Sequence, residues 1–216
     1  METETMTPRD LPIVAGHLAL DFANTVDDPE GPERWDHIAT PEGLLRWAKR
    51  MNLVTTKGPQ SFGSSTQQGS DLSTDDAAVL SSACLLREVL NHVFGSLAEA
   101  EPVPKEAWGR LRPFIADAIG TAALVPVDSR NGTYRRDWAH LGDLRCVIHP
   151  VAASAGDLLV SDDLLRLKRC GRCPWLFLDF SKNHSRRWCD MNDCGKAEKI
   201  ERYLAKRARR RDKACN

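Results

Sequence analysis

Four cysteines constrain this chain more than any other feature. They read Cys170-Gly171-Arg172-Cys173, then fifteen residues, then Cys189-Asp190-Met191-Asn192-Asp193-Cys194. Each close pair turns back on itself so that both sulfurs point inward, and the long arm lets the second pair close from the opposite side. One tetrahedral zinc ion needs that arrangement, with four thiolates at about 2.3 Å. The spacing lies in the range of four-cysteine zinc sites, apart from a slightly longer second knuckle. Buried free thiols or disulfides are the alternatives. Four of the seven cysteines fall in 25 residues rich in arginine and lysine, which does not suit burial without a metal. Disulfides do not suit a chain that shows no export signal. Four thiolates leave no open position for water, so the expected zinc is structural and not catalytic. His184, inside the arm, would matter only if one cysteine were not a ligand.

Within the arm, Trp175-Leu176-Phe177-Leu178-Asp179-Phe180 is apolar enough for a strand beside the metal, and Ser181-Lys182-Asn183-His184-Ser185 is turn material. Arg186-Arg187-Trp188-Cys189 then returns to the ion, with Trp188 expected to pack on the metal site and not to stack on a base. Cys-x2-Cys, Leu-Phe-x-Asp-x-Ser-x-Asn, Ser-Arg-Arg-Trp-Cys and a closing Cys-Gly together resemble the CGNR-type zinc finger. That finger ends a bacterial family of stress-responsive transcriptional regulators whose N-terminal domain, ABATE, is proposed to sense a stimulus or ligand. The resemblance implies a DNA-binding finger behind a sensor domain. The name-giving motif itself differs, since Cys194-Gly195 is followed by Lys196-Ala197. The metal ligands are untouched, and Lys196 is the residue available to replace the family's arginine charge.

The 216 residues suit one large domain, or one domain plus a small module. The formal charge of zero hides an asymmetry. From Arg166 to Asn216 there are 16 lysines and arginines against 6 aspartates and glutamates, while the first 165 residues hold 14 against 24. A basic part joined to an acidic one points to a nucleic-acid or anionic partner, the alternative being a solvated basic tail. No apolar run is expected to span a membrane, and residues 1–10 carry no apolar signal core, so a cytoplasmic protein is expected. Cys84 and Cys146 fall in apolar helical patterns and read as core thiols; Cys215 is in the tail.

Along the first domain, Leu18, Leu20 and Phe22 alternate and predict a short strand. The segment resembles the opening Leu-Asp-Phe-x-Asn-Thr of ABATE domains. Asp21, Asn24 and Thr25 either bind a small polar ligand or cap the following turn. Thr40-Pro41-Glu42 starts a helix. Residues 57–73, rich in Gly, Ser and Gln, are expected to form a flexible insertion. Val79, Ala83, Leu86, Leu90, Val93 and Leu97 mark the strongest helix, starting at 73–76, with Arg87 facing either a pocket or solvent. Pro104 opens another, kinked or divided at Pro113. Residues 121–127 and 133–138 predict a hairpin around Asn131-Gly132. Leu144 to Leu158 form a last helical face, with Pro150 as an irregularity.

After Cys194 a helix is expected to about Arg211. Ala197, Ile200, Leu204 and Ala208 form an apolar stripe that can pack on the zinc knuckle. Lys199, Arg202, Lys206, Arg209 and Lys213 lie about 200° away around the helix. The reading is α+β: a mainly helical first domain (1–160) with a small antiparallel sheet from the N-terminal strand and the hairpin, then a treble-clef-like or ribbon-like four-cysteine module (165–213) ending in a helix. The favoured function is a zinc-dependent transcriptional regulator with DNA, an unidentified small molecule and a second copy of itself as partners. Lys182, Arg186, Arg187, Lys196, Lys199, Arg202, Lys206 and Arg209 are the DNA-contact candidates. An RNA-binding zinc module and an enzyme with a catalytic first domain are the rivals. For the enzyme, His17 with Asp21 is the best pair, and no Gly-rich phosphate loop or catalytic triad order is present.

Overall fold

The computed structural model describes residues 11–27, 34–54, 74–128, 132–141 and 143–214, the side chains of 74–76 and 212–214 excepted. The expected insertion at 57–73, residues 1–10, Asn131, Cys215 and the Lys213 side chain lie outside them. Among the described residues, five helices build the first part: α1 (Leu18–Ala23), α2 (Pro41–Arg50), α3 (Thr74–Ala98), α4 (Lys105–Gly120) and α5 (Arg145–Leu159). Local chemistry explains α2. The Thr40 hydroxyl accepts the Gly43 N–H at 3.1 Å, Pro41 opens the helix, and Lys49 and Arg50 sit at its carbonyl end. Gly43 is required there, because a Cβ would lie 2.5 Å from the His37 carbonyl oxygen.

The apolar period of α3 becomes the centre of the core: Ala83, Leu86, Leu90, Val93 and Phe94 are fully buried, against α1, α4 and α5. Residues Ala77–Ala98 are also long and apolar enough to cross a membrane by length and composition, a length the sequence expectation had missed. One face of this helix packs against three other helices. Pro113 and Pro150 lie inside α4 and α5, neither of which they divide.

The expected N-terminal strand is instead helix α1. Ala19, Leu20, Asp21, Phe22 and Ala23 are all buried, so the alternation of Leu18, Leu20 and Phe22 does not separate an inner from an outer face. A short segment enclosed on every side has no amphipathic period to read. Its turn is set from outside, by Asp21 Oδ1 accepting the N–H groups of Val14 and Ala15 at 3.1 and 3.0 Å. The small sheet therefore does not include this segment. Three separate two-stranded antiparallel ribbons occur among the described residues: β1 (Val26–Asp27) with β2 (Trp35–Asp36), β3 (Ala123–Asp128) with β4 (Thr133–Asp137), and β5 (Leu167–Arg169) with β6 (Leu176–Leu178). The second is the expected hairpin, with Ala123 opposite Asp137 and an irregularity between Pro126 and Asp128.

The last ribbon joins the two parts of the chain. Leu176, Phe177 and Leu178 are buried in the same core as Leu20, Phe22 and Leu90, and β5 and β6 lie against α3 and α1. Burying such side chains contributes about 1.5–3 kcal/mol each. The expected boundary falls at the 3-10 turn Asp162–Arg166, and the core continues across it. Helix α6 (Cys194–Ala214) begins at the last cysteine of the cluster.

Candidate metal centre and basic helix

Local contacts place the cysteines. Cys170 follows β5, and its N–H donates to the Trp175 carbonyl at 2.8 Å, which closes the first knuckle. The Gly171 N–H donates to the Arg187 carbonyl at 2.9 Å and pulls the returning arm against that knuckle. Cys189 follows Trp188 in that arm. Cys194 is the first residue of α6, where the helix dipole favours a thiolate.

The four sulfurs lie within 4.8 Å of one another. Cys173 to Cys189 is 3.5 Å and Cys189 to Cys194 is 3.7 Å. A disulfide needs about 2.0 Å. Four ligands at about 2.3 Å on a tetrahedral ion are about 3.8 Å apart, so the donor set fits zinc. Sulfurs this close oppose ionising together. Hydrogen bonds from Cys173 and Cys189 hold the Cys170 thiol down, and hydrogen bonds to Cys170 then push Cys173 and Cys189 far up. Burial pushes Cys194 up as well. A divalent cation resolves this conflict by stabilising all four thiolates at once. The exposed His184 is not a fifth candidate, since its Nε2 lies 3.1 Å from Arg166 Nη1.

Asp179 holds the arm. It is fully buried and accepts from Lys168 Nζ at 2.6 Å and from the N–H groups of Ser181 and Arg186, each at 2.9 Å. Burial alone would raise its pKa, but Lys168 and Ser181 outweigh it and hold the carboxyl below the usual range. This explains the aspartate in the arm motif, a role the sequence reading did not assign. A second unassigned device is Arg172 at the knuckle, paired through both guanidinium nitrogens with Glu201 at 2.8 and 2.6 Å. It clamps α6 to the metal site. Its partners are 29 positions apart, so no local pattern shows it.

Of the DNA-contact candidates, Lys182, Arg187, Lys196, Lys199, Arg202, Lys206 and Arg209 are exposed. Arg187 lies over the Trp188 ring at 5.2 Å, and Trp188 is partly buried against the core. Arg186 is different. Its guanidinium donates to the carbonyls of Val14, Trp188 and Cys189 and lies 4.3 Å from the centre of the Phe177 ring. Its charge is used internally, tying residue 14 to the finger. The apolar stripe of α6 also departs from expectation. Ala197 is half-buried, but Ile200 and Leu204 are 49% and 54% exposed. Only the first two turns of α6 meet the knuckle, through half-buried Ala197 and the Arg172–Glu201 pair, and beyond them the helix is exposed.

The three ligand candidates are buried and satisfied. Asp21, Asn24 and Thr25 are 4%, 2% and 0% exposed. Asn24 Nδ2 donates to the Leu176 carbonyl at 2.8 Å and Oδ1 accepts the Leu176 N–H at 2.9 Å, as a neighbouring strand would. The Thr25 hydroxyl donates to the Phe22 carbonyl at 2.9 Å. These polar groups support a clasp and a turn cap, not a ligand site. Burial pushes the Asp21 carboxyl up against the lowering effect of its backbone partners. His17 does not complete a catalytic pair with it: Asp21 is bound to Val14 and Ala15, and the buried His17 Nδ1 has no partner.

Arg87 turns inward. It is 5% exposed and pairs with both oxygens of Asp36 at 2.6 and 2.8 Å. It borders a cavity of about 350 Å³ between α3 and the finger.

Among curated proteins no relative matches. Residues 166–210 match the CGNR zinc finger family. Residues 16–162, two thirds of the chain, match the ABATE family, described as "Putative stress-induced transcription regulator". The cysteine geometry and both matches agree: the chain belongs to the ABATE family and carries a CGNR-type, zinc-binding finger.

Proposed function

We propose that this protein is a zinc-dependent transcription regulator in which α6 and the returning arm of the finger hold duplex DNA, while the first domain senses a small molecule or mediates dimerisation. The observation that carries this reading is the exposed course of α6. At 21 residues it is about 30 Å long. Its base is fixed by a metal ligand, Cys194, and by the Arg172–Glu201 clamp. Lys199, Arg202, Lys206 and Arg209 then repeat along one exposed side. A rigidly rooted cationic helix of that length suits the major groove and its flanking phosphates. Lys182, Arg187 and Lys196 add charge beside the root, and Arg186 acts indirectly by fixing the arm. The acidic first domain limits indiscriminate binding by the whole molecule.

The exposed Ile200 and Leu204 favour DNA contact or pairing with a second copy over a solvated tail. A dimer on a two-fold site follows from the small number of bases one finger reaches. The test is selection from random duplex DNA with the zinc-loaded protein, using Cys170→Ser as control. An enriched motif that disappears in the variant supports the reading. Sequence-blind binding that single-stranded RNA displaces would move it to RNA, and no binding to either would defeat it.

A further inference from the structure

The cavity between α3 and the finger has walls from both parts of the chain. Arg87, Glu88, Asn91 and His92 line it from two adjacent rows of α3, and Arg34 borders it just before β2. The finger contributes Arg169, the residue before zinc ligand Cys170, together with Pro174 and Trp175. Its volume, about 350 Å³, lies in the range of small-molecule sites.

The polar groups are held in place. Asp36 fixes Arg87 from behind. Asn91 Nδ2 donates to the Ala23 carbonyl at 2.7 Å. The Trp175 indole N–H donates to the Val26 carbonyl at 2.9 Å, which anchors that ring at the edge of the cavity. Arg169 donates through Nη1 to the Pro174 carbonyl at 3.1 Å, and its Nε lies 2.6 Å from Glu99 Oε1 without hydrogen-bond alignment. Arg169 reaches α3 only because residue 95 is glycine: a Cβ there would stand 2.1 Å from Nη2. Asp36 and Glu99 offset Arg87 and Arg169 from one side, and Glu88 is the acid in the wall. Arg34, with its side chain 54% exposed, has Asp36 only at 3.7 Å. Three guanidinium groups thus border one cavity, beside a fixed indole and a proline.

We propose that this cavity is the effector site, that it takes a small organic anion with a planar apolar body, and that occupancy locks the finger onto α3. The anionic head meets Arg34 at the mouth, with Arg87 and Arg169 as further positive charges in the wall, and the planar body lies against Trp175 and Pro174. The locking rests on the regulator reading above. A ligand touching both walls binds better when they are docked, and that differential affinity shifts the equilibrium. Linkage requires the reverse as well, so DNA binding changes affinity for the anion by the same factor.

The test uses the full-length zinc-loaded protein, with benzoate and phenyl phosphate as probes and benzamide as the neutral control. The readout is the Trp175 indole N–H resonance, assigned with Trp175→Phe. Saturable shifts with an anion at about millimolar or lower concentration are expected for probes of this size, with none from benzamide. Carboxylate and phosphate heads are separated by which probe binds more tightly. Arg34→Ala, at the exposed mouth, should weaken binding at least about fivefold, as losing one charged contact does. Gly95→Ala, which displaces only the flexible end of Arg169, should do likewise. Failure of both anions to move Trp175, or equal binding to Arg34→Ala and Gly95→Ala, overturns the proposal. If an anion binds at Trp175 but leaves DNA affinity unchanged, the site stands and the locking falls. If the protein binds no DNA yet takes the anion, the site stands and the regulator reading falls.

Discussion

Replacing Asn24 by alanine tests how the two parts of the chain are joined. Asn24 gives β6 both hydrogen bonds a neighbouring strand would give, at 2.8 and 2.9 Å to Leu176, and both residues are buried. The Ala variant leaves the Leu176 N–H and carbonyl unpaired away from water. Each such group costs about 1–3 kcal/mol, so the loss should be about 2–6 kcal/mol. A whole domain is stable by only about 5–15 kcal/mol, so the zinc-loaded variant should unfold at clearly lower urea. Asn24→Asp should be about as damaging, because a carboxylate accepts the N–H but faces the carbonyl with another acceptor. The assay is equilibrium urea unfolding followed by far-UV circular dichroism, with zinc in slight excess. A loss below about 0.5 kcal/mol in both variants, in the range of an ordinary surface substitution, would refute the clasp and return Asn24 to the ligand candidates.

Chelating zinc should unfold the finger, with one ion released per chain and a loss of helical signal, because the thiolates convert an otherwise weak segment into a fold; a chelator that leaves the spectrum unchanged argues against a structural metal. For the Asp36–Arg87 pair, burial raises the carboxyl's pKa but the Arg87 hydrogen bonds and charge outweigh it, so the folded pKa lies below the ordinary value. The pair's stabilisation is therefore complete above about pH 4 and is lost as pH falls through the lower folded value. The stability gap between the protein and Asp36→Asn should be constant from pH 5 to 7 and shrink below 4; a pH-independent gap excludes the charge. Lys206→Ala with Arg209→Ala should reduce the salt dependence of DNA binding by about two log–log units if both meet phosphates, and an unchanged slope removes them from the interface.

The features readable from residue order alone follow from local rules. The zinc site was legible because a tetrahedral ion imposes its geometry on cysteine spacing, and Cys170, Cys173, Cys189 and Cys194 do converge. Helices α2 and α3 were legible from a cap and from a period of 3.6, and the basic side of α6 from the same period. Tertiary structure decided the rest, where neighbours from distant parts of the chain set the outcome. Helix α1 is buried on every side, so its alternating leucines carried no usable phase. Asn24 was open between a ligand contact and a turn cap because its partner, Leu176, is 152 positions away. Arg186 looked like a phosphate contact until Val14, 172 positions away, proved to hold its guanidinium. The apolar stripe of α6 predicted a packed face, but the helix is rooted only in its first two turns, and Ile200 and Leu204 stay exposed. A sequence shows which side chains can bond and at what period they recur; which distant backbone they meet is fixed only when the core closes around them.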